Sequence, residues 1–478
     1  MLYALKKVGN TSNTHYNQKT DNSDAEVSSA GNVVIKGGYP FISSKTLFIP
    51  ETLDIDRVLQ NNPPTFKYRR DAFVYILDLI YSIPARKKDK LDTYTGYTPI
   101  NKAILGSIIK DYRQYINYLK QQNIVEEDSY IVGEKSQGLR FKLPFRSNLK
   151  PVVITDWPLI KNINYLRLKD RTDEKATKNL HFLKNGILQL DCDIEEAKLI
   201  LEKLKQEELN KGLQNEDVRY NSRLLPILHL HSNKTLPLFI VDKTAGRLHT
   251  NITQMKKELR SCLWLNEKPL YAVDIVNCQP YLCLSILDIE FFDKNKIAER
   301  IIKFNPNVDV KALHRLIKRL SATDDVMLFK KIVTNGLFYE EFGELLIKEG
   351  FVNNTGKSIR HFAKGIIFTT FFNTNYAINY NEAIKIFKKV FPNVYKIFGF
   401  IKRSKHNTLA ILLQNLEADL ILHGCCKDIH TKRAGISLIT VHDSIATTRD
   451  NVLYVKNRMQ RTFQENLGIA PKFKLEKW

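Results

Sequence analysis

Apolar residues recur at helical spacing in three segments between residues 66 and 148. They predict helices over residues 71–82, about 99–108 and 111–122, the second with Thr98 as its N-cap and Pro99 in its first turn. Short apolar runs then flank a glycine-containing turn at residues 133–138, which predicts a hairpin.

This order of elements resembles a winged helix-turn-helix. The second and third helices would form the DNA-reading pair, and Lys135 would lie on the wing. The alternative is a small helical accessory domain with an added hairpin. The pattern names no base-reading residue, so it predicts duplex binding without saying what is read.

The flanking segments are less regular. Residues 1–65 are rich in Asn, Ser, Thr, Gly and Lys and end at Asn61-Asn62-Pro63-Pro64, so we expect a flexible arm. Residues 193–212 predict an amphipathic helix. Asp191 and Asp193 at its start suggest a metal-binding pair, but aspartates there also cap a helix, and capping is the interpretation that we favour.

Two apolar segments far apart in the chain each hold an aspartate. One is residues 270–276 around Asp274, and the other is residues 437–444, which end in His442-Asp443-Ser444. An acid within an apolar strand is costly unless it is paired or binds a metal. On adjacent strands the two carboxylates would hold Mg²⁺ or Mn²⁺ for two-metal chemistry on phosphates. Either aspartate alone is equally compatible with a surface acid at a strand end.

Between these segments, residues 358–372 predict a helix with a mixed ridge. Arg360, Lys364, Phe368 and Phe372 follow one another at intervals of four residues. Two cations followed by two aromatic rings suit a nucleoside triphosphate, because cations hold phosphates and rings contact sugar and base. The alternative is an ordinary amphipathic helix with solvated cations and an aromatic core face.

Composition adds a polyanionic partner and removes several protein classes. The 73 Lys and Arg exceed the 51 Asp and Glu by 22, which predicts affinity for nucleic acid first and for an acidic membrane surface second. No apolar run approaches the ~20 residues that span a bilayer, and residues 1–20 lack the apolar segment of a signal peptide. The six cysteines contain no Cys-x-x-Cys pair, as is typical of reduced thiols. We therefore expect a cytoplasmic protein without a membrane partner.

Five motifs in order resemble those of the family A DNA polymerases and, more distantly, the single-subunit phage-type RNA polymerases. They are Ala245-Gly246-Arg247-Leu248, Asp274, the ridge from Arg360 to Phe372, Gln414-Asn415-Leu416-Glu417-Ala418-Asp419, and His442-Asp443-Ser444. The resemblance covers about residues 190–478. It implies an α+β fold, a right-hand polymerase core with an antiparallel palm sheet and helical fingers and thumb. We expect an arm at 1–65, a winged-helix-like domain at 66–148, a linker and thumb-like region at 149–245, and palm and fingers at 246–478.

The resemblance also implies catalytic roles. Asp274 and Asp443 would hold two Mg²⁺ or Mn²⁺ ions, with the backbone carbonyl of Ile275 as a further ligand. Arg360 and Lys364 would bind the triphosphate, and Lys364 would also neutralise charge in the transition state.

The remaining implied positions would contact sugar, base and DNA. Those near the sugar and base are Phe368, Phe372 and Gln279, and those that follow the primer end and minor groove are Arg247, Gln414 and His442. Our own expectation for contacts to the DNA backbone is Lys256, Lys257 and Arg260.

Three departures from the family bear on sugar choice. The family's fingers helix ends in Tyr-Gly, where this chain has Phe372-Asn373. Gln279 replaces the family's glutamate that crowds the ribose 2′-OH and hydrogen-bonds that tyrosine. Ser444 stands where the DNA enzymes have glutamate and matches the phage-type RNA polymerases instead.

We therefore expect a template-directed DNA polymerase that extends a primer 3′ end by two-metal phosphoryl transfer. Its partners would be a DNA primer-template, nucleoside triphosphates and replication accessory proteins. The residues before Arg247 leave no room for a proofreading exonuclease, and a fused DNA reader suggests replication of a mobile element such as a phage or plasmid. The alternatives are a single-subunit RNA polymerase or primase, and a non-catalytic winged-helix DNA-binding replication protein.

Overall fold

The computed structural model describes residues 43–86, 95–129, 136–168, 172–232, 238–351 and 358–478, together with three strands closer to the N-terminus. Those strands, β1 (Ala25–Val27), β2 (Val33–Ile35) and β3 (Tyr39–Pro40), pair antiparallel in the order β1-β2-β3. Lys135, expected on a wing, lies outside the described residues.

An N-terminal unit has its own apolar core around helix α2, which is buried along nearly its whole length. Its strands are β4 (Lys45–Pro50), β5 (Thr98–Pro99), β6 (Val125–Glu127), β7 (Gly138–Phe141) and β8 (Leu149–Ile154), and its helices are α1 (Ile55–Asn61), α2 (Arg70–Arg86), α3 (Lys102–Ile108), α4 (Tyr112–Gln121) and α5 (Trp157–Leu168), with a 3-10 turn at Leu143–Phe145. Strand β4 pairs with β8, and a three-stranded antiparallel sheet has the order β5-β7-β6. Helices α2, α3 and α4 correspond to the three predicted helices. Strands β6 and β7 correspond to the two sides of the predicted hairpin.

The predicted flexible arm at residues 1–65 is wrong for its last third. Strand β4 buries Leu47, Phe48 and Ile49 and pairs with β8 along its whole length. The Phe48 amide also donates to the carboxylate of Asp78 in α2 at 3.0 Å. The polar composition hid this strand because its partner lies about a hundred residues away.

The predicted cap of the second helix is also wrong. Thr98 lies in strand β5, and its hydroxyl donates to the carbonyl of Ile80 at 2.6 Å. Helix α3 is capped instead by Asn101, whose side chain accepts from the Ile104 amide at 3.1 Å. A Thr-Pro pair is compatible with an edge strand as well as with a helix start. Here the pairing of Thr98 and Pro99 with β7 places them in a strand.

A helical segment joins the N-terminal unit to the rest of the chain. It contains α6 (Glu174–Asn179), α7 (Phe182–Leu188), β9 (Leu190–Cys192), α8 (Ile194–Asn210) and α9 (Glu216–Ser232). Asp193 caps α8 as predicted, because its carboxylate accepts from the Glu196 amide at 2.9 Å. Helix α9 packs on both sides: Val218 and Leu225 belong to the N-terminal core, and Ile227 belongs to a core beneath the central sheet.

An antiparallel central sheet organises the C-terminal half. Its strands are β12 (Leu263–Leu265), β13 (Lys268–Ile275), β14 (Ile439–Val441), β15 (Ser444–Thr448) and β16 (Phe473–Lys477), which join β9 in the order β14-β15-β13-β12-β9 with β16 also pairing with β13. Because side chains alternate along a strand, β13 faces two cores. Leu270 and Ala272 pack toward α8 and α9, whereas Val273 and Ile275 pack into the large helical core.

Helices pack on both faces, most of them in the large helical core of the second face and those between residues 251 and 262 in the core of the first. They are α10 (Asn251–Gln254), α11 (Cys278–Leu282), α12 (Leu284–Leu287), α13 (Ile289–Lys294), α14 (Ile297–Phe304), α15 (Val310–Leu320), α16 (Asp324–Thr334), α17 (Phe338–Lys348), α18 (Ile359–Phe372), α19 (Glu382–Val390), α20 (Pro392–Ile401), α21 (Thr408–Ala418), α22 (Lys427–Lys432) and α23 (Arg449–Leu467), with 3-10 turns at Lys257–Cys262 and Asn375–Asn379. A short hairpin of β10 (Phe239–Val241) and β11 (Leu248–Thr250) lies beside them. The fold is thus a mixture of helix and antiparallel sheet.

One long helical run passes through this layer, in which a π-helix at Asp419–Cys426 links α21 to α22. In the part of the chain that the structure describes, this run is the one helix long and apolar enough to cross a membrane. However, 72% of its most apolar window is buried inside the protein. Such burial is typical of a core helix.

Candidate active site

The two predicted aspartates lie side by side in the central sheet. Asp274 in β13 pairs across the ladder with Ser444 in β15, and Asp443 is the residue immediately before Ser444. The predicted strand at residues 437–444 is instead a hairpin, in which His442 and Asp443 form the two-residue turn between β14 and β15. His442 has a φ of 55°, the left-handed conformation that such tight turns require.

The carboxylates of this pair repel each other. Burial, followed by the nearby charges of Glu417 and Asp274, raises the pKa of Asp443 to about 8. Burial also raises the pKa of Asp274, where Glu476 adds repulsion and Lys257 and Arg260 offset part of it. The site therefore resists full ionisation, and a bound cation would favour the charged form of both carboxylates.

A third carboxylate, Glu417 of α21, was assigned no role from the sequence. It is 2% exposed, accepts from the Arg247 guanidinium at 2.7 Å, and accepts from the Gln279 side-chain amide at 2.5 Å. Burial raises its pKa, which Arg247 opposes. An acid inside the apolar run of α21 was the available signal, the same one that identified Asp274.

The expected primer-end residues partly converge here. Arg247, Glu417 and His442 line one small pocket with Thr440 and Leu422. Partial burial of the imidazole, with the positive charges of Arg247 and His249 nearby, lowers the pKa of His442 and keeps it neutral at pH 7. Gln414 lies one helical turn before Glu417 and is half-buried, outside the pocket lining.

The three expected backbone-contacting cations differ in their surroundings. Arg260 lies close enough to Asp274 and Asp443 for both charges to act on it, while burial lowers its pKa. Its guanidinium is 5.3 Å from the ring centroid of Trp478. Lys257 pairs with Glu476 at 2.9 Å beside the same site, whereas Lys256 pairs locally with Glu258.

Helix α18 carries the predicted ridge on its outer face. Ser358 caps the helix, Arg360 and Lys364 are exposed, and Phe368 and Phe372 are half-buried with ring centroids 5.3 Å apart. The opposite face supplies the core. The residues buried there are Ala363, Ile366, Ile367, Thr370 and Phe371.

The first residue of the ridge has its partners on helix α17. Arg360 forms an ion pair with Glu340, and its guanidinium lies 5.4 Å from the ring centroid of Tyr339. Burial raises the pKa of Tyr339, and the charges of both Arg360 and Asp443 act on its phenol. Across the described residues, no hydrogen bond or ion pair joins Lys364 to either aspartate.

The described side chains at this site supply part of a coordination shell for a hard cation such as Mg²⁺. Within the described ranges, no group of three His, Cys, Asp or Glu side chains converges to hold a metal ion. What the site offers is two carboxylates whose repulsion a cation would relieve, near the buried end of β13 at Ile275. Mg²⁺ in nucleotide sites is commonly bound by one or two carboxylates together with substrate phosphates, so these residues fit such an ion.

Comparison with known proteins gives little beyond this geometry. No protein-family model matches the chain, and no curated protein matches it in sequence. Among solved structures it is similar to the POL domain of Pol1 from M. smegmatis, in a complex with DNA primer-template and dNTP. That similarity has 12% sequence identity and a TM-score of 0.35, and it covers 67% of this chain and 72% of that chain. A likeness at that level establishes neither the family nor the activity.

Proposed function

We propose that this protein is a template-directed nucleotidyltransferase that extends a primer 3′ end on a DNA template. One observation carries the proposal: Asp274 and Asp443 meet at the end of β13 and β15, and each raises the energetic cost of charging the other. A site that holds two close carboxylates against their repulsion is arranged for cation-dependent phosphate chemistry.

The aspartates are assigned to bind Mg²⁺ or Mn²⁺, with the carbonyl of Ile275 as a further ligand. When bound, two such ions activate the attacking oxygen and stabilise the leaving phosphate oxygen. The protein's own part is to hold both carboxylates on paired strands, one of them in a two-residue turn that leaves little freedom. Arg260 beside them balances part of the charge before substrate binds.

Helix α18 is assigned to the incoming triphosphate. Arg360 and Lys364 are exposed on one ridge, as phosphate-binding cations must be, and Lys364 lies 5.5 Å from the ring of Phe368. Phe368 and Phe372 continue the ridge toward sugar and base. On substrate binding, Arg360 would exchange Glu340 for a phosphate, and this exchange leaves the helix itself unchanged.

The residues around the pocket are assigned to the primer-template. Arg247, Gln414 and His442 would contact the primer end and the minor groove, and a neutral His442 can donate or accept there. Lys256, Lys257 and Arg260 would contact phosphates and so position the duplex without reading it.

RNA or primer synthesis is the second candidate, and Gln279 favours it. The side-chain oxygen Oε1 of Gln279 is buried and has no hydrogen-bond partner among the described residues. A 2′-OH would supply the missing donor, whereas a deoxyribose would not. The third candidate is a non-catalytic DNA-binding replication protein. In such a protein the paired carboxylates of Asp274 and Asp443 would have no catalytic role.

The test is primer extension on a defined template with Mg²⁺, with dNTPs and NTPs in parallel. We expect template-dependent extension that Asp443→Asn and Asp274→Asn each reduce about 10³-fold or more, because each removes a cation ligand. Asp450→Asn is the matched control, since Asp450 is an exposed aspartate that pairs with Lys268 at 2.9 Å.

The preferred nucleotide set then separates DNA synthesis from RNA or primer synthesis. Absence of extension with either set, in Mg²⁺ and in Mn²⁺, by protein that still binds DNA would reject the catalytic proposal.

A further inference from the structure

The outer face of helix α4 is chemically unlike the rest of the N-terminal unit. The residues exposed on α4 are Arg113, Gln114, Asn117, Lys120 and Gln121, and the helix contains no Asp or Glu. Lys120 pairs with Glu127 at 3.1 Å. The other four side chains form no hydrogen bond or ion pair with any residue that the structure describes, so a guanidinium and three amides are presented unpaired to solvent.

The inner face of α4 fixes how that outer face is presented. Tyr115, Ile116, Tyr118 and Leu119 are buried in the core around α2. The Tyr115 hydroxyl accepts from the Arg69 amide at 3.0 Å, and the Tyr118 hydroxyl donates to the carbonyl of Asn62 at 2.5 Å. The helix is therefore held rigidly by its aromatic side, which leaves the unpaired face as its free surface.

The topology puts α4 where a helix can project from the unit. Helices α3 and α4 are joined only by residues 109–111, and they are followed by strands β6 and β7 of the sheet β5-β7-β6. In a DNA-binding helix-turn-helix with such a short connection, the second helix is the one that enters the major groove. Arg113 and Gln121 are eight residues apart, or ~12 Å along the axis, which spans about three to four base-pair steps of ~3.4 Å.

We propose that this face of α4 reads base edges in the major groove of double-stranded DNA. Asn and Gln amides gain little from phosphate charge, but each matches the paired donor and acceptor of adenine, and Arg matches the two acceptors of guanine. A helix of ~10–12 Å diameter fits the ~12 Å major groove of B-form DNA. The narrow major groove of an RNA duplex does not admit it.

A protein partner fits the same surface less well. Protein interfaces are enriched at their centres in aromatic residues, whereas the tyrosines of α4 face inward or lie half-buried at its start. The chain's net charge of +22 favours a polyanion. Reading by α4 is independent of nucleotidyl transfer, because α4 lies in a different core from Asp274 and Asp443.

The experiment selects duplexes from a randomised library with the full-length protein and then compares dissociation constants for the enriched and a scrambled duplex. We expect an enriched motif and a clear preference for it at fixed salt. Gln114→Ala, Asn117→Ala and Gln121→Ala should each reduce that preference about 5- to 100-fold, as the loss of one bidentate base contact does. Methylation of guanine N7, which faces the major groove, should block binding within the motif.

Gln60→Ala is the matched control, because Gln60 is an exposed amide on α1 of the same unit. It should leave both the preference and the affinity unchanged. All four positions are exposed, so unchanged thermal unfolding should accompany every variant. The proposal is overturned if no motif is enriched, or if the preference survives in the triple variant of α4 and thus belongs to the catalytic half.

Discussion

Glu417 binds the Arg247 guanidinium and the Gln279 amide with the two oxygens of one buried carboxylate. A carboxylate accepts and does not donate, so it determines which end of the Gln279 amide faces it. Nε2 must point to Glu417, and Oε1 must point away, where it has no partner in the described structure. One acid thereby orients both Arg247, which we assign to the primer end, and Gln279, which we assign to the sugar.

We expect Glu417→Gln to disturb both neighbours without removing a cation ligand. Primer-extension efficiency should fall about 10- to 100-fold, because a small misplacement of positioning groups has effects of that order. The ratio of dNTP to NTP incorporation should also change, since the Gln279 amide is then free to turn over. Glu465→Gln, at an exposed position of α23, is the control. A variant that is less stable but keeps the wild-type ratio would contradict the orienting role.

The coupled carboxylates also make stability depend on pH. Asp443 has a pKa of about 8 when folded, against 3.8 for an aspartate in water, so the folded site holds a proton that the unfolded chain releases near pH 4. Without divalent ions, the free energy of unfolding should therefore fall as pH rises from about 4 to 8. Asp443→Asn should remove that part of the decline and be the more stable form at pH 8.

Urea unfolding in EDTA and in Mg²⁺, across that pH range, provides the measurement. Mg²⁺ should stabilise the wild-type protein most above pH 7 and have little effect on Asp443→Asn. Asp450→Asn serves as the control. Equal pH slopes for the wild type and Asp443→Asn would mean that the pair does not repel as described.

At the scale of elements, α18 depends on a lysine outside it. Lys402 is 3% exposed, and its ammonium donates to the carbonyls of Thr370 at 2.8 Å and Asn373 at 3.1 Å. Burial lowers the pKa of Lys402 to about 8. Free carbonyls at the end of a helix need such donors. Lys402 supplies them at Thr370 and Asn373, on either side of Phe372 in the chain.

We expect Lys402→Met to release the last turn of α18. The two carbonyls would lose their donor in a buried setting, which costs about 1–3 kcal/mol of unfolding free energy. The KM for the nucleotide should rise while affinity for the primer-template stays unchanged, because the affected turn holds Phe372. Lys396→Met, an exposed change on the neighbouring helix α20, should do neither. Identical behaviour of the two variants would refute the capping role.

Local pattern identified the elements that bury one face. Helices α4, α8 and α18 lie where apolar spacing predicts them, because each covers a core with a single stripe. Helix α2 also lies where predicted, although it is buried on nearly all sides. The turn before β15 was missed, since no glycine or asparagine marks the left-handed conformation of His442. An apolar stretch that folds back on itself has the same composition as one long strand.

At the scale of the whole molecule, the sequence indicated single residues and elements better than the contacts between distant parts of the chain. Asp274 lies on a strand as expected, whereas Asp443 lies in the turn just before the neighbouring strand β15. Glu417 bonds to residues 170 and 138 positions away, and β4 pairs with a strand that follows it after four helices. Contacts over such separations follow from the packing of entire units, which no window of sequence contains.

The register of β13 has a consequence for folding. Asp274 shares a face with Leu270 and Ala272, while Val273 faces the large helical core. A slip of one residue against β15 would reverse every side chain of the strand. It would push the carboxylate of Asp274 among the aromatic rings of that core, unpaired and at prohibitive cost. The aspartate assigned to catalysis thus also rejects misaligned pairing while the sheet assembles, before any nucleotide is present.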